Sequence, residues 1–160
     1  MSKSVNDWPG PEYHVTAVFR APLAYVFAWC TDFDVHDDRR EKDRYTRKII
    51  ERTPRRVVFE DLVDSDQGWN WARHVVTLHP PDRWHSDSVG THRTLTIDYV
   101  LTRLPRDRTR LDLRWKRRRT ALATTKVSKR VIEKSATQAW RHFANELEKD
   151  LRKSRKQRAH

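Results

Sequence analysis

The sequence predicts an α+β domain, a curved antiparallel sheet of about seven strands wrapped around one long C-terminal helix, with one or two short helices after the first strand. Three observations lead there. Segments with the two-residue alternation of half-buried strands occupy most of the chain up to Arg118. Their connections are too short for parallel crossovers, so neighbouring strands are antiparallel. The last quarter then changes period. Ile132, Ala136, Trp140, Phe143, Leu147 and Leu151 recur at spacings of 4, 4, 3, 4 and 4, which is one stripe of a helix expected over Thr120–Lys153. So long a stripe needs a broad apolar surface, and the dry face of the sheet supplies it. A sheet curved around a helix tends to leave a cavity, and a cavity suggests a ligand.

Each element has its own signal. Residues 1–11 hold two prolines and a glycine without periodicity and read as an irregular leader; residues 12–153 form the single domain, and 154–160 a basic tail. In Glu12–Arg20, Tyr13, Val15, Ala17 and Phe19 alternate with His14, Thr16 and Val18, the pattern of a first strand. Pro22 suits the first position of a helix, where its missing amide has no partner to lose, and Leu23, Val26, Phe27 and Cys30 share one face of that helix. Asp34–Asp43 is a mixed-charge stretch, a second short helix or a surface loop. Six more strands are expected at Tyr45–Arg52, Arg56–Asp64, Trp69–His79, Arg83–Val89, Arg93–Leu104 and Thr109–Arg118, divided by turn formers such as Thr53-Pro54, Ser65–Gly68 and Gly90-Thr91. Parity places Val57, Phe59, Leu95, Ile97, Tyr99, Leu101, Leu111, Leu113 and Trp115 on the dry face.

Composition bounds the function. One domain of 160 residues, with seven Trp, five Phe and four Tyr, has enough apolar bulk to fold. Cys30 is the only cysteine, so no internal disulfide forms, and a cytoplasmic home is expected. The longest uncharged run, Ala21–Thr31, is far too short to span a membrane. Charge is uneven: residues 1–102 carry 14 Lys and Arg against 16 Asp and Glu, whereas 103–160 carry 20 against 6. Arg114, Lys116, Arg117, Arg118 and Arg119 form one cluster, and Lys149, Arg152, Lys153, Arg155, Lys156 and Arg158 a basic end. Either could meet an anionic polymer or lipid surface, although a solvated strand face and a helix C-terminus attract cations for structural reasons alone.

As a whole, the order of elements resembles the helix-grip fold of the START-related and polyketide-cyclase (SRPBCC) superfamily over about Tyr13–Leu151. Ala17–Asp34 (AVFRAPLAYVFAWCTDFD) resembles that family's strand, proline-started helix and Trp/Asp ending, and Val75–Trp84 (VVTLHPPDRW) its strand, proline turn and strand. The resemblance implies a hydrophobic or amphipathic small-molecule ligand, and for a minority of members cyclisation, dehydration or hydrolysis in the same cavity.

Candidate lining residues follow from parity. Phe59, Tyr99 and Trp115 point from the sheet, and Trp140 and Phe143 from the helix. Trp69, Trp71 and Arg73 share a face of their strand, and a short turn near Gly68 is expected to bring Asp61 beside Arg73 as an ion pair among aromatics. The same residues also fit a plain core with a pair at its edge. Asp61 and His85 are the speculative acid and base. No HxH, HExxH, P-loop, GxGxxG or GxSxG spacing occurs, so neither metal nor cofactor is expected. A non-enzymatic binding or carrier domain leads; a cyclase or dehydratase and an adaptor for nucleic acid or anionic membranes are the alternatives. The oligomeric state stays open.

Overall fold

A computed structural model of the protein describes residues 5, 8–34, 44–65, 68–123 and 126–159. Its elements run β1 (Tyr13–Phe19), α1 (Leu23–Cys30), β2 (Arg44–Arg52), β3 (Arg56–Ser65), β4 (Gly68–His79), β5 (Arg83–Gly90), β6 (Arg93–Leu104), β7 (Arg108–Arg119) and α2 (Lys129–Arg158). The seven strands form one antiparallel sheet in the order β1-β7-β6-β5-β4-β3-β2, so a chain of hairpins is closed on one side by β1 returning to β7. The expected second helix or loop at 34–43 lies almost wholly outside the described residues.

Strand alternation maps directly onto burial. Along β1, Tyr13, Val15, Ala17 and Phe19 are buried and the residues between them exposed. Trp115, Leu113, Leu111 and Thr109 of β7, all buried, face them residue for residue. Gly68 adopts φ +92 at the start of β4, a backbone that other residues resist, and closes the β3–β4 hairpin on Ser65. A Cβ on Gly90 would meet the Trp71 carbonyl oxygen at 3.0 Å, so a side chain there would press on the β4 backbone. In β2 the register shifts between Ile49 and Glu51, which leaves Ile50 as the extra residue of a bulge.

Both helices sit on the inner face. Pro22 is the N-cap of α1 rather than its first residue, and its carbonyl receives the Val26 amide at 3.0 Å. The helix ends at Thr31, whose amide and hydroxyl both donate to the Phe27 carbonyl. Helix α2 begins nine residues later than expected. One tertiary and one local bond hold the preceding segment in another conformation: the Thr120 amide donates to the His92 carbonyl, and Arg119 donates to the Ala123 carbonyl. Ser128 then caps the helix by accepting from the Val131 amide. At the other end, residues 154–158, expected as tail, are helical, and Arg155, Lys156 and Arg158 in the last turn suit the negative end of the helix dipole.

The core has two parts. The larger joins Phe19, Val26, Val57, Phe59, Trp84, Leu101 and Leu111 to Ala144, Leu147 and Leu151 of α2. The smaller holds Tyr13, Val15, Leu113 and Trp115, with Ile132 and Ala136 only partly buried against it. Trp140 packs on both, edge-on to Phe19 at 6.5 Å and to Tyr99 at 6.1 Å. Outside the sheet, Lys116 donates to the Trp8 carbonyl and Arg118 stacks on the Trp8 ring, so Trp8 lies over β7. Among the described residues no helix is long and apolar enough to cross a membrane.

Candidate functional site

Between α2, α1 and strands β2–β6 lies a cavity of about 370 Å³, a size that suits a small organic ligand. Its floor comes from the inward residues of the sheet: Arg47 of β2, Phe59, Asp61 and Val63 of β3, Asn70, Ala72 and His74 of β4, Trp84 and Ser86 of β5, and Tyr99 of β6. The end of α1 adds Trp29, Cys30 and Phe33, and α2 adds Trp140 and Phe143.

A charged pair sits among these aromatics. Arg47 holds Asp61 bidentately, Nε to Oδ1 at 2.8 Å and Nη2 to Oδ2 at 2.9 Å. The two side chains are only 8% and 12% exposed. Strands β2 and β3 place them directly opposite one another, which fixes the geometry before any side chain moves. The guanidinium also covers the Phe59 ring at 4.3 Å, and Phe59 stacks on His74 at 4.6 Å and on Phe33 at 5.1 Å. His74 Nε2 lies 3.6 Å from Asp61 and Nδ1 lies 2.7 Å from the Ser88 hydroxyl. Burial, above all, pushes the His74 pKa down to about 4; Asp61 opposes this, while the charges of Arg47 and Arg93 add to it. At neutral pH the ring is therefore uncharged. A proton on Nε2, facing Asp61, leaves Nδ1 to accept from Ser88. Burial likewise raises the Tyr99 phenol, with Cys30 adding to the effect, so it stays protonated. Asn70 Oδ1 is buried with no hydrogen-bond partner among the described residues.

Several sequence expectations need correction. The hairpin pairs Asp61 with Ala72 and Glu60 with Arg73, one residue off the pairing that would have set Asp61 beside Arg73. Because side chains alternate, that single step turns the whole odd-numbered set outward. Trp69 and Trp71 are exposed on the outer face, and Arg73 binds Glu60 there at 2.7 Å. His85 is also on the outer face, its Nδ1 2.6 Å from Asp98 and its Nε2 3.0 Å from Asp87, in an outer recess away from Asp61. The expected acid and base are thus on opposite sides of the sheet. Trp115 stacks on Tyr13 at 5.3 Å and does not border the cavity. Phe59, Asp61, Tyr99, Trp140 and Phe143 do border it. The basic cluster is divided: register puts Arg117 and Arg119 on the inner face with Trp115, and Arg114, Lys116 and Arg118 on the outer.

Arg47, Asn70, His74, Ser86 and Ser88 went unnoticed in the sequence. Their signal was present as a polar residue in the apolar phase of a strand: Arg47 between Tyr45 and Ile49, and His74 before Val76 and Leu78. The adjacent Trp69 and Trp71 drew the phase of β4 the wrong way. Among the described residues no group of three His, Cys, Asp or Glu side chains is placed to hold a metal.

A second space of about 570 Å³ lies under the N-terminal half of α2, lined by His92, Arg93, Leu95, Leu113, Trp115, Arg117, Ile132 and Ala136 among others. Arg93, Tyr99 and Trp140 border both spaces, so the Tyr99–Trp140 contact is their partition.

No family model matches the sequence, and no curated protein matches it either. Solved structures do. The Zhui aromatase/cyclase from a Streptomyces species superposes with a TM-score of 0.68 at 16% identity, covering 88% of this chain and 95% of that one. A START superfamily protein from Mycobacterium smegmatis gives 0.64 at 16% identity, covering 90% and 99%. The di-domain aromatase/cyclase BexL gives 0.63 at 14% identity, where this chain covers 84% of itself and 48% of that protein. At such identities the likeness is one of fold, and the chain has the helix-grip fold of the START-related and polyketide-cyclase superfamily.

Proposed function

We propose that the protein binds an amphipathic small molecule, lipid-like or polyketide-like, in the cavity between the sheet and α2. The observation that carries this is the composition of the cavity wall. Seven Trp, Phe and Tyr rings line it, while Asn70 Oδ1 is a buried acceptor to which nothing among the described residues donates. A ligand hydroxyl or N–H would meet that unmet need, and the rings would cover the apolar remainder. The Arg47–Asp61 pair favours holding over turnover, because both Asp61 oxygens are already engaged and His74, with its pKa near 4, is a weak base at neutral pH.

Protein purified under native conditions, extracted with organic solvent and analysed by mass spectrometry should release a bound amphiphile. Asn70→Leu should raise the melting temperature of the ligand-free protein and reduce that yield. An empty extract, together with no thermal shift from fatty acids or sterols, would sink the carrier reading.

The neighbours named as aromatase/cyclases support a second reading, a cyclase or dehydratase, for which the neutral His74 and protonated Tyr99 are the groups facing the cavity. Turnover of a polyketide surrogate that survives His74→Gln and Tyr99→Phe would remove those assignments. An anionic polymer or lipid surface would meet the basic end of α2; salt-sensitive binding abolished by deleting residues 152–160 is the corresponding test.

A further inference from the structure

The outer face of the sheet carries an apolar patch at the β3–β4 hairpin. Trp69 and Trp71 are 63% and 39% exposed there, Leu62 41% and Val89 56%. Register makes the patch continuous, because directly opposite residues share a face: Leu62 lies opposite Trp71, and Val89 opposite Arg73. Two residues along from Leu62, Glu60 lies opposite Arg73, whose Nε and Nη2 both donate to Oε1, at 3.0 and 2.7 Å. Among the described residues Glu60 Oε2 receives no hydrogen bond and Arg73 Nη1 donates none. Half of this ion pair therefore still faces outward, beside two tryptophans. Trp and Arg side by side on a surface are what protein interfaces select, since both gain most from being covered.

The register also decides what fits over the patch. A two-fold axis lying in this face, parallel to the strands and midway between β3 and β4, exchanges the two strands and keeps every residue at its level. It sets Leu62 of one copy over Trp71 of the other and Glu60 over Arg73, each contact occurring twice. The open Oε2 and Nη1 then meet across the interface. An axis running across the strands at the Leu62–Trp71 level instead sets Asp64 over Glu60 of the second copy, acid on acid, which disfavours it. We propose that this face joins two copies of the chain, sheet against sheet, with strand directions within about 30° of each other as in aligned sheet packing. A patch of this size suits a weak, concentration-dependent dimer rather than an obligate one. None of these residues borders the cavity or the groove under the N-terminal half of α2, which lie on the inner face, so dimer and ligand site are independent.

Analytical ultracentrifugation of the full-length protein from about 1 µM to about 1 mM should show a monomer–dimer equilibrium with a dissociation constant on the order of tens of micromolar. Trp71→Ser should weaken association about ten-fold or more. Arg73→Glu and Glu60→Arg should each do the same, whereas an equimolar mixture of these two variants should form a mixed dimer as tight as the unsubstituted one, because acid then faces base at both contacts. Arg110→Glu, an equal change of net charge on β7, three strands from β4, should leave association unchanged. A monomer at every concentration, a dimer indifferent to Trp71→Ser and Arg73→Glu, or single exchanges that the mixture does not rescue each overturns the proposal. So does a monomer whose tryptophan emission is quenched by oligothymidylate and no longer quenched in Trp71→Ser, which would give the face to single-stranded nucleic acid instead.

Discussion

The two halves of α2 carry the same apolar stripe and sit on the sheet differently. From Ala144 onward the helix is seated: Ala144, Leu147 and Leu151 are buried, Asp150 accepts from the Trp29 indole at 3.0 Å, and Glu148 accepts from the Arg20 amide. Before Trp140 no side chain is fully buried, and Ile132 and Ala136 stand over the groove. The difference comes from what lies beneath. Helix α1 wedges Val26, Phe27 and Trp29 under the second half, whereas among the described residues no element fills the corresponding place under the first. Amphipathic spacing therefore reports which side of a helix faces inward, and the neighbouring elements decide how far in it goes.

The largest expected effect lies where the seated half roofs the cavity. Asp61→Ala would take the bidentate carboxylate from the buried Arg47, costing about 3–5 kcal/mol in urea unfolding, whereas Arg73→Ala, which breaks an exposed pair on the outer face, should cost about 1 kcal/mol or less. Equal costs would show that the cavity pair is solvated after all. Next comes the helix itself: Leu147→Ala should lose about 2–5 kcal/mol and Ile132→Ala only about 1 kcal/mol, because Leu147 is fully buried and Ile132 lines open space. If Ile132→Ala costs as much, the groove is closed in solution.

A third effect, spread over the acid range, is read from pH. His74 faces Asp61, Arg47, Arg93 and the Ser88 hydroxyl, and its folded pKa of about 4 lies below the ordinary 6.5. Between those values the unfolded chain holds a proton that the folded chain lacks. Its contribution is therefore complete above about pH 6.5 and is lost as pH falls toward 4, with a slope of at most about 1.4 kcal/mol per pH unit. His74→Gln should flatten that part of the stability profile between pH 7 and 4.5. A profile identical to the unsubstituted protein would mean that His74 is hydrated, and that the cavity is as open as the groove.

The architecture was legible in the sequence because each strand has one dry face, so period-two alternation from Tyr13 to Phe19 or from Leu111 to Trp115 marks both the strand and its inner side without knowledge of its neighbours. The turn residues between them fixed antiparallel order in the same local way. Half of the candidate site was legible too: Phe59, Asp61, Tyr99, Trp140 and Phe143 follow from parity within single elements, and all border the cavity. Strand β4 was not, since Trp69 and Trp71 have apolar bulk in one phase and Val76 and Leu78 in the other.

Only the pairing across the β3–β4 hairpin, with Ser65 opposite Gly68, resolved that conflict, and with it decided that Asp61 meets Arg47 rather than Arg73. The start of α2 was likewise a tertiary decision, made by bonds from residues 119 and 120 rather than by helix propensity. What the sequence determined by itself was the kind of each element and which of its faces is dry, because both depend on neighbours a few residues apart. The tertiary structure decided which charges meet, how deeply α2 sits, and that Arg93 and Arg117 border one groove, because these depend on register and on which elements pack beneath the helix, neither of which local periodicity encodes.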